Sequence, residues 1–320
     1  MYLQVVFFAA VALFSTITAW EPLDPEKALF IYTRCMEDHL PNDSSRKGTL
    51  AGWRLWDLIP TDKEATKCYA RCVLTKTGLY DPGSKKFNAE VIRQQWNAYQ
   101  DLADENSVNK YVEAVQGLPK TEDSCEQVFN AYNDVHTQHK STARNVFHGN
   151  PVLTKPIYAK LGDNIRQPNQ SYFLFCENLL YPIGSSDRNQ LCKIRLYFIP
   201  KDELFKKHAD CFFKGLRYLT EDNELDRSEI KRDFEQVNKD INQVDAVLDA
   251  CGEPKKNSEK AFHYYKCLVE SSIVDDFKEA FDYREIRSQN YGYNLAEKKQ
   301  YNRQDVVSKV SELDNQQCPP

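Results

Sequence analysis

The stretch that decides the fold runs from residue 63 to residue 76: Lys63-Glu64-Ala65-Thr66-Lys67-Cys68-Tyr69-Ala70-Arg71-Cys72-Val73-Leu74-Thr75-Lys76. It reads as one helix with cysteines at i and i+4, so both sulfurs leave the same face about 5–6 Å apart. Two cysteines so placed do not favour each other. Each can staple a different neighbouring segment, and the helix becomes a hub for others.

Working outward, the ten cysteines fall into two groups. Cys35, Cys68, Cys72 and Cys125 form the first; Cys176, Cys192, Cys211, Cys251, Cys267 and Cys318 form the second, after a gap of fifty residues. Each group can close on itself, which puts a boundary near residues 140 to 170 and, in an oxidising compartment, predicts full pairing. Four cysteines allow three pairings and six allow fifteen, so spacing alone leaves the connectivity open. Close Cys/His pairs of the zinc-binding kind are missing; His136 and His139 stand without partners of that spacing, and no metal is expected.

The periodicity around these cysteines is helical. Asp24-Pro25-Glu26 is a cap, a first-turn proline and a first-turn acid, followed by Leu29, Tyr32, Thr33 and Met36 on one face. Helices are predicted over 63–76, 87–99, 108–115 and 125–139, then over 171–180, 188–197, 203–218, 228–238, 241–251, 259–269 and 275–291. Ile241, Val244, Val247, Leu248 and Cys251 have the spacing of a core-facing stripe. Alternating strand runs bounded by tight-turn signals are absent, so an all-α chain is expected.

Composition sets the class. The 320 residues are 41% hydrophobic and 28% charged with only 11 Gly, which excludes collagen-like, disordered and polytopic membrane chains. A net charge of −5 offers no basic excess for a phosphate backbone, so nucleic acid is not an expected partner. The first nineteen residues carry no charge and hold an apolar run from Leu3 to Phe14, too short to span a bilayer. Residues 1–19 therefore read as a secretory signal cut near Ala19, leaving a secreted protein with no membrane anchor. The acceptor sequons Asn42-Asp43-Ser44 and Asn169-Gln170-Ser171 suit that compartment.

Enzyme signatures are missing: there is no phosphate-cradling glycine loop, no G-x-S-x-G elbow and no H-E-x-x-H pair. Asp282 and Glu285 are a carboxylate pair at i, i+3. Taken alone they suit either a glycosidase-like pair or, more simply, a solvated helix rim pairing with Lys278 or Arg284.

The stretches DPEKALFIYTRCMED, TGLYDP, VFHGN, IRQPNQSYF, FCEN, HYYKCLVESS and FKEAFDYREIRSQ together resemble the long-form D-seven salivary proteins of blood-feeding mosquitoes, in which two odorant-binding-like domains are fused. The resemblance spans essentially the whole mature chain. It implies an all-α fold of two disulfide-stapled domains, residues 20–165 and 166–320, with pairs Cys35–Cys72, Cys68–Cys125, Cys176–Cys211, Cys192–Cys318 and Cys251–Cys267. It also implies a salivary monomer that is not an enzyme, needs no cofactor, and sequesters small-molecule host mediators. Biogenic amines are expected in the carboxy-terminal domain, on Glu177, Arg195, Tyr197, His208, Tyr265, Phe281, Asp282 and Glu285. Two carboxylates suit a primary ammonium, and rings add cation–π attraction of about 0.5–2 kcal/mol. Eicosanoids are expected in the amino-terminal domain, lined by Trp53, Trp56, Tyr69 and Phe173, with Arg166, or Lys155 and Lys160, meeting the lipid carboxylate. Two other readings stay open: an interaction protein that binds a host haemostatic macromolecule, and an adenine-nucleotide scavenger using the Ser288-Gln289-Asn290-Tyr291 run.

Overall fold

The computed structural model describes residues 20–58, 63–220, 222–289, 295–296 and 301–318; the expected leader, and Asn290 and Tyr291 of the nucleotide reading, lie outside them. The Asp24 side chain accepts from the Lys27 amide at 2.8 Å and Pro25 takes the first turn, so α1 (Pro25–His39) begins where the cap signal puts it. There follow α2 (Arg46–Arg54), α3 (Glu64–Lys76), a two-residue antiparallel ladder of β1 (Tyr80–Asp81) and β2 (Lys86–Phe87), α4 (Glu90–Ala98), α5 (Glu105–Gln116), α6 (Cys125–Val146) and α7 (Pro151–Leu161). Helix α6 runs past its predicted end and bends at His139, where φ is −118°.

The second half continues with α8 (Tyr172–Leu180), α9 (Arg188–Arg195), α10 (Glu203–Gly215), α11 (Arg227–Gln236), α12 (Ile241–Cys251), α13 (Lys260–Val269), α14 (Val274–Ser288) and α15 (Arg303–Gln317). Side chains of Ser171, Asp202, Asp226, Asp240 and Asn302 cap five of these helices, each accepting an amide of the first turn. No described helix is long and apolar enough to cross a membrane.

All five disulfides form with the pairing the resemblance implies, and no cysteine is free. Cys72 ties α3 to α1 and Cys68 ties it to α6, so the hub role read from the i, i+4 spacing is what the helix performs. Cys176–Cys211 joins α8 to α10, Cys251–Cys267 joins α12 to α13, and Cys192–Cys318 fastens the end of α15 to α9.

Two hydrophobic cores result, one built from residues 23–147 and one from residues 172–306, except that Leu295 packs into the first. Arg46 holds that excursion through a 2.7 Å hydrogen bond from Nε to the Leu295 carbonyl. The seam between the cores is ionic. Arg166 donates to Glu26 at 2.6 Å, Arg34 pairs with Glu229, and Arg232 meets Asp38 at 2.7 Å.

Candidate functional site

Between α8, α9, α10, α13, α14 and α15 lies a pocket lined by all eight residues of the expected amine site, with Phe173, Ile194, Phe212, Val310 and Asp314 beside them. Phe281 sits at the centre of an aromatic wall: the Phe173 ring lies 4.5 Å away, Phe212 5.5 Å, Tyr265 5.8 Å and Tyr197 6.3 Å, centroid to centroid. The carboxylates come from three helices. Glu285 is buried and Asp282 half-buried, so the pair does not form a solvated rim, and Arg284 pairs instead with Asp233 at 3.2 Å.

Arg195 organises the polar end. Its Nη2 donates to Glu177 at 2.7 Å and to Glu285 at 3.1 Å, and its Nη1 to Asp314 at 2.7 Å. The Tyr197 hydroxyl donates to Asp282 at 2.6 Å. Burial pushes Asp282 up to about 6 and Glu285 up to about 7, with Arg195 offsetting only part of the rise; burial likewise lifts Glu177 despite its ion pair. Burial and then Arg195 push His208 down to about 3, so its ring is neutral. Both His208 nitrogens, like Arg195 Nε, lack a hydrogen-bond partner among the described residues. A buried polar group without a partner costs about 1–3 kcal/mol, and a hydroxylated ligand offers the missing bonds.

Tyr197 reaches the pocket through its backbone. At φ +62° it ends α9 in the left-handed region, with its amide on the Ile194 carbonyl at 2.8 Å and the Phe198 amide on the Lys193 carbonyl at 2.9 Å. A bulky residue seldom adopts that conformation. Leu196 and Phe198 stay exposed while the ring between them turns inward.

A second cavity is lined by Trp56, Leu58, Tyr69, Ala70, Val73, Leu74, Leu79, Tyr132 and His136. Trp56 ends α2 at φ +57°, with the Trp56 and Asp57 amides on the carbonyls of Trp53 and Gly52 at 2.9 and 2.8 Å. The motif is the one that carries Tyr197, so both halves aim an aromatic ring into a cavity by the same device, from Arg54-Leu55-Trp56 and Arg195-Leu196-Tyr197. His136 Nε2 donates to the Trp56 carbonyl at 2.7 Å and fixes the turn. The Tyr69 hydroxyl has no hydrogen-bond partner among the described residues, which leaves a donor inside an almost wholly apolar space.

Three residues expected in this cavity lie elsewhere. Trp53 stacks on Tyr69 at 4.0 Å and donates to Thr66 at 3.3 Å; it is core behind the lining, because Trp56 has left the helix on which the two would share a face. Phe173 belongs to the other pocket, since α8 packs on α10 and α14. Arg166 is buried in the seam on Glu26 and the Ser288 carbonyl, and its guanidinium lies 5.2 Å from the Tyr172 ring. Lys155 and Lys160 are exposed on α7. Asp314 is the charged lining residue the sequence reading lacks. Its signal is the apolar spacing of Val306, Val310 and Leu313, which marks α15 as an amphipathic helix.

Disulfide-stapled helices around a ligand-sized pocket define the class. The chain belongs to the PBP/GOBP family, whose model matches residues 18–136 and 185–271. Within that class it belongs with the long-form salivary D-seven proteins of mosquitoes: it is 53% identical over 316 residues to long form salivary protein D7L1 of Aedes aegypti, covering 98% of each chain. The solved AeD7–leukotriene E4 complex matches with a TM-score of 0.86 at 53% identity, over 89% of this chain and 96% of that one. Culex quinquefasciatus D7 long form 1 in complex with ADP matches with 0.84 at 29%, over 93% and 99%.

Proposed function

We propose that this chain is a secreted salivary scavenger that holds host biogenic amines, such as serotonin and norepinephrine, in the carboxy-terminal pocket and an eicosanoid in the amino-terminal cavity. It acts as a monomer, without turnover, and opposes vasoconstriction, platelet aggregation and inflammation by removing their mediators. The observation that carries the amine half is a pocket whose lining offers four carboxylates and one guanidinium beside an aromatic wall. An ammonium supplies the missing charge, the rings take the catechol or indole, and His208 meets ring hydroxyls. The lipid half rests on the apolar cavity with its free Tyr69 hydroxyl and on the relative solved with leukotriene E4.

The relative solved with ADP motivates the nucleotide reading, which the acid-rich pocket disfavours by repelling phosphate. Calorimetry against serotonin, norepinephrine, histamine, leukotriene E4 and ADP separates these ligands. Asp282→Ala leaves an ammonium poorly paired in a buried site, so amine affinity is expected to fall about a hundredfold, or about 3 kcal/mol, with lipid binding retained. Parent-like serotonin binding in that variant would reject the site, and a chain that binds no panel member would point to a macromolecular partner.

A further inference from the structure

The carboxy-terminal pocket holds more acid than its own cations neutralise. Glu177 comes from α8, Asp282 and Glu285 from α14 and Asp314 from α15; Arg195 of α9 is the one cation among the lining residues. That guanidinium is engaged by Glu177, Glu285 and Asp314 at 2.7, 3.1 and 2.7 Å, while Asp282 receives the Tyr197 hydroxyl. No other lining residue brings positive charge, and Lys278, outside the lining, offsets the effect of burial on Asp282 only in part. Lys278 of α14 lies 5.1 Å from the centroid of the Tyr197 ring, α10 contributes neutral His208, and α13 contributes the Tyr265 phenol. Ser171, which caps α8, donates to Glu285, and Arg284 and Arg287 of α14 turn to Asp233 and Glu229 of α11. A buried carboxylate without its counter-charge is costlier than a neutral carboxyl, so the empty site retains protons.

Building on the amine reading, we propose that this pocket is an ammonium–proton exchanger: the arriving ammonium displaces a proton held by the Asp282–Glu285 pair, so that capture is tight near neutral pH and acid reverses it. The ligand enters as its ammonium ion, a carboxyl O–H bond breaks heterolytically, and the proton leaves to solvent. An ammonium N–H then donates to the carboxylate left behind, and no electron is transferred. Midpoints of about 6 for Asp282 and about 7 for Glu285 agree, since a solvated carboxyl has already lost its proton in that range. Near pH 8 both acids are ionised before the ligand arrives and the exchange disappears.

Titrating the full chain with serotonin in two buffers of different ionisation enthalpy tests this. About one proton is expected to leave per amine bound near pH 6 and none near pH 8, with affinity about ten- to a hundredfold weaker near pH 5 than near pH 8. Glu285→Gln is expected to lower the proton count near pH 6. Serotonin binding with buffer-independent heats and a flat affinity would overturn the exchange and leave the amine reading standing. Absence of serotonin binding at either pH would remove the amine reading, and the exchange with it. Carbon-13 NMR of the carboxyl groups in the ligand-free protein needs no amine; Asp282 and Glu285 titrating together in the ordinary range near pH 4 would also overturn the exchange.

Discussion

Asp282 shows how a residue proposed to hold ligand can weaken the protein that carries it. Its carboxyl is pushed up to about 6 by burial, so folding favours the neutral form. The favourable state is fully present below the ordinary carboxylate range and is lost as pH rises through 6; above that, the empty fold bears the cost of a desolvated charge. Asp282→Asn keeps an acceptor for Tyr197 and removes that cost. The variant should therefore be more stable than the parent near pH 8 by about 1–3 kcal/mol, with the gain vanishing near pH 4. Thermal unfolding at the two pH values checks it, and a gain that persisted in acid would contradict the assigned cause. At this scale the lining of the carboxy-terminal pocket is legible because its residue types match a family pattern one by one. The lining of the amino-terminal cavity is less so: Trp53, Phe173 and Arg166 suit a lipid chemically, but which side of a helix or seam they face depends on packing that spacing does not encode.

At the scale of elements, α2 and α9 are short helices whose purpose is their ends. Each finishes on an aromatic residue where glycine is usual, and the strain is held by two backbone hydrogen bonds. Trp56 is held further by Gly149, where an added Cβ would lie 2.4 Å from the indole nitrogen. Gly149→Ala must push the indole toward the cavity. It should weaken leukotriene E4 binding about tenfold or more while leaving serotonin binding and the helical circular dichroism unchanged, because the clash is confined to the side chains of Trp56 and Arg144. Equal loss at both sites would show a global defect instead. Helix Ile241–Cys251 is legible to the residue, since cap and apolar stripe coincide. Helix α7 is hidden by Pro151 and an internal Pro156, and α15 by a polar sequence in which a few apolar residues carry the pattern.

At the scale of the molecule, the halves meet through buried charge. Glu26 accepts from Arg166 at 2.6 Å, from Tyr158 at 2.5 Å and from Tyr172 at 3.4 Å, and so binds α1 to α7 and to the start of α8. Glu26→Ala removes the carboxylate those three share and should cost about 3–5 kcal/mol, the range for breaking a buried ion pair. Scanning calorimetry should show the parent transition separating into two, one per core. A single transition at the parent temperature would mean that the seam contributes nothing. Two stapled bundles are readable from the cysteine grouping alone, whereas the seam is not, because Glu26, Arg34 and Arg166 look in sequence like ordinary surface charges.

Leu295 alters what it means for the chain to emerge from a ribosome. Domains of a tandem protein ordinarily complete themselves in order, the first while the second is still being synthesised. Here the first core waits for a residue close to the last, which Arg46 receives by its carbonyl. The amino-terminal core is therefore complete only after nearly the whole polypeptide has been made. A chain interrupted before Leu295 forfeits part of a core whose other members were translated long before.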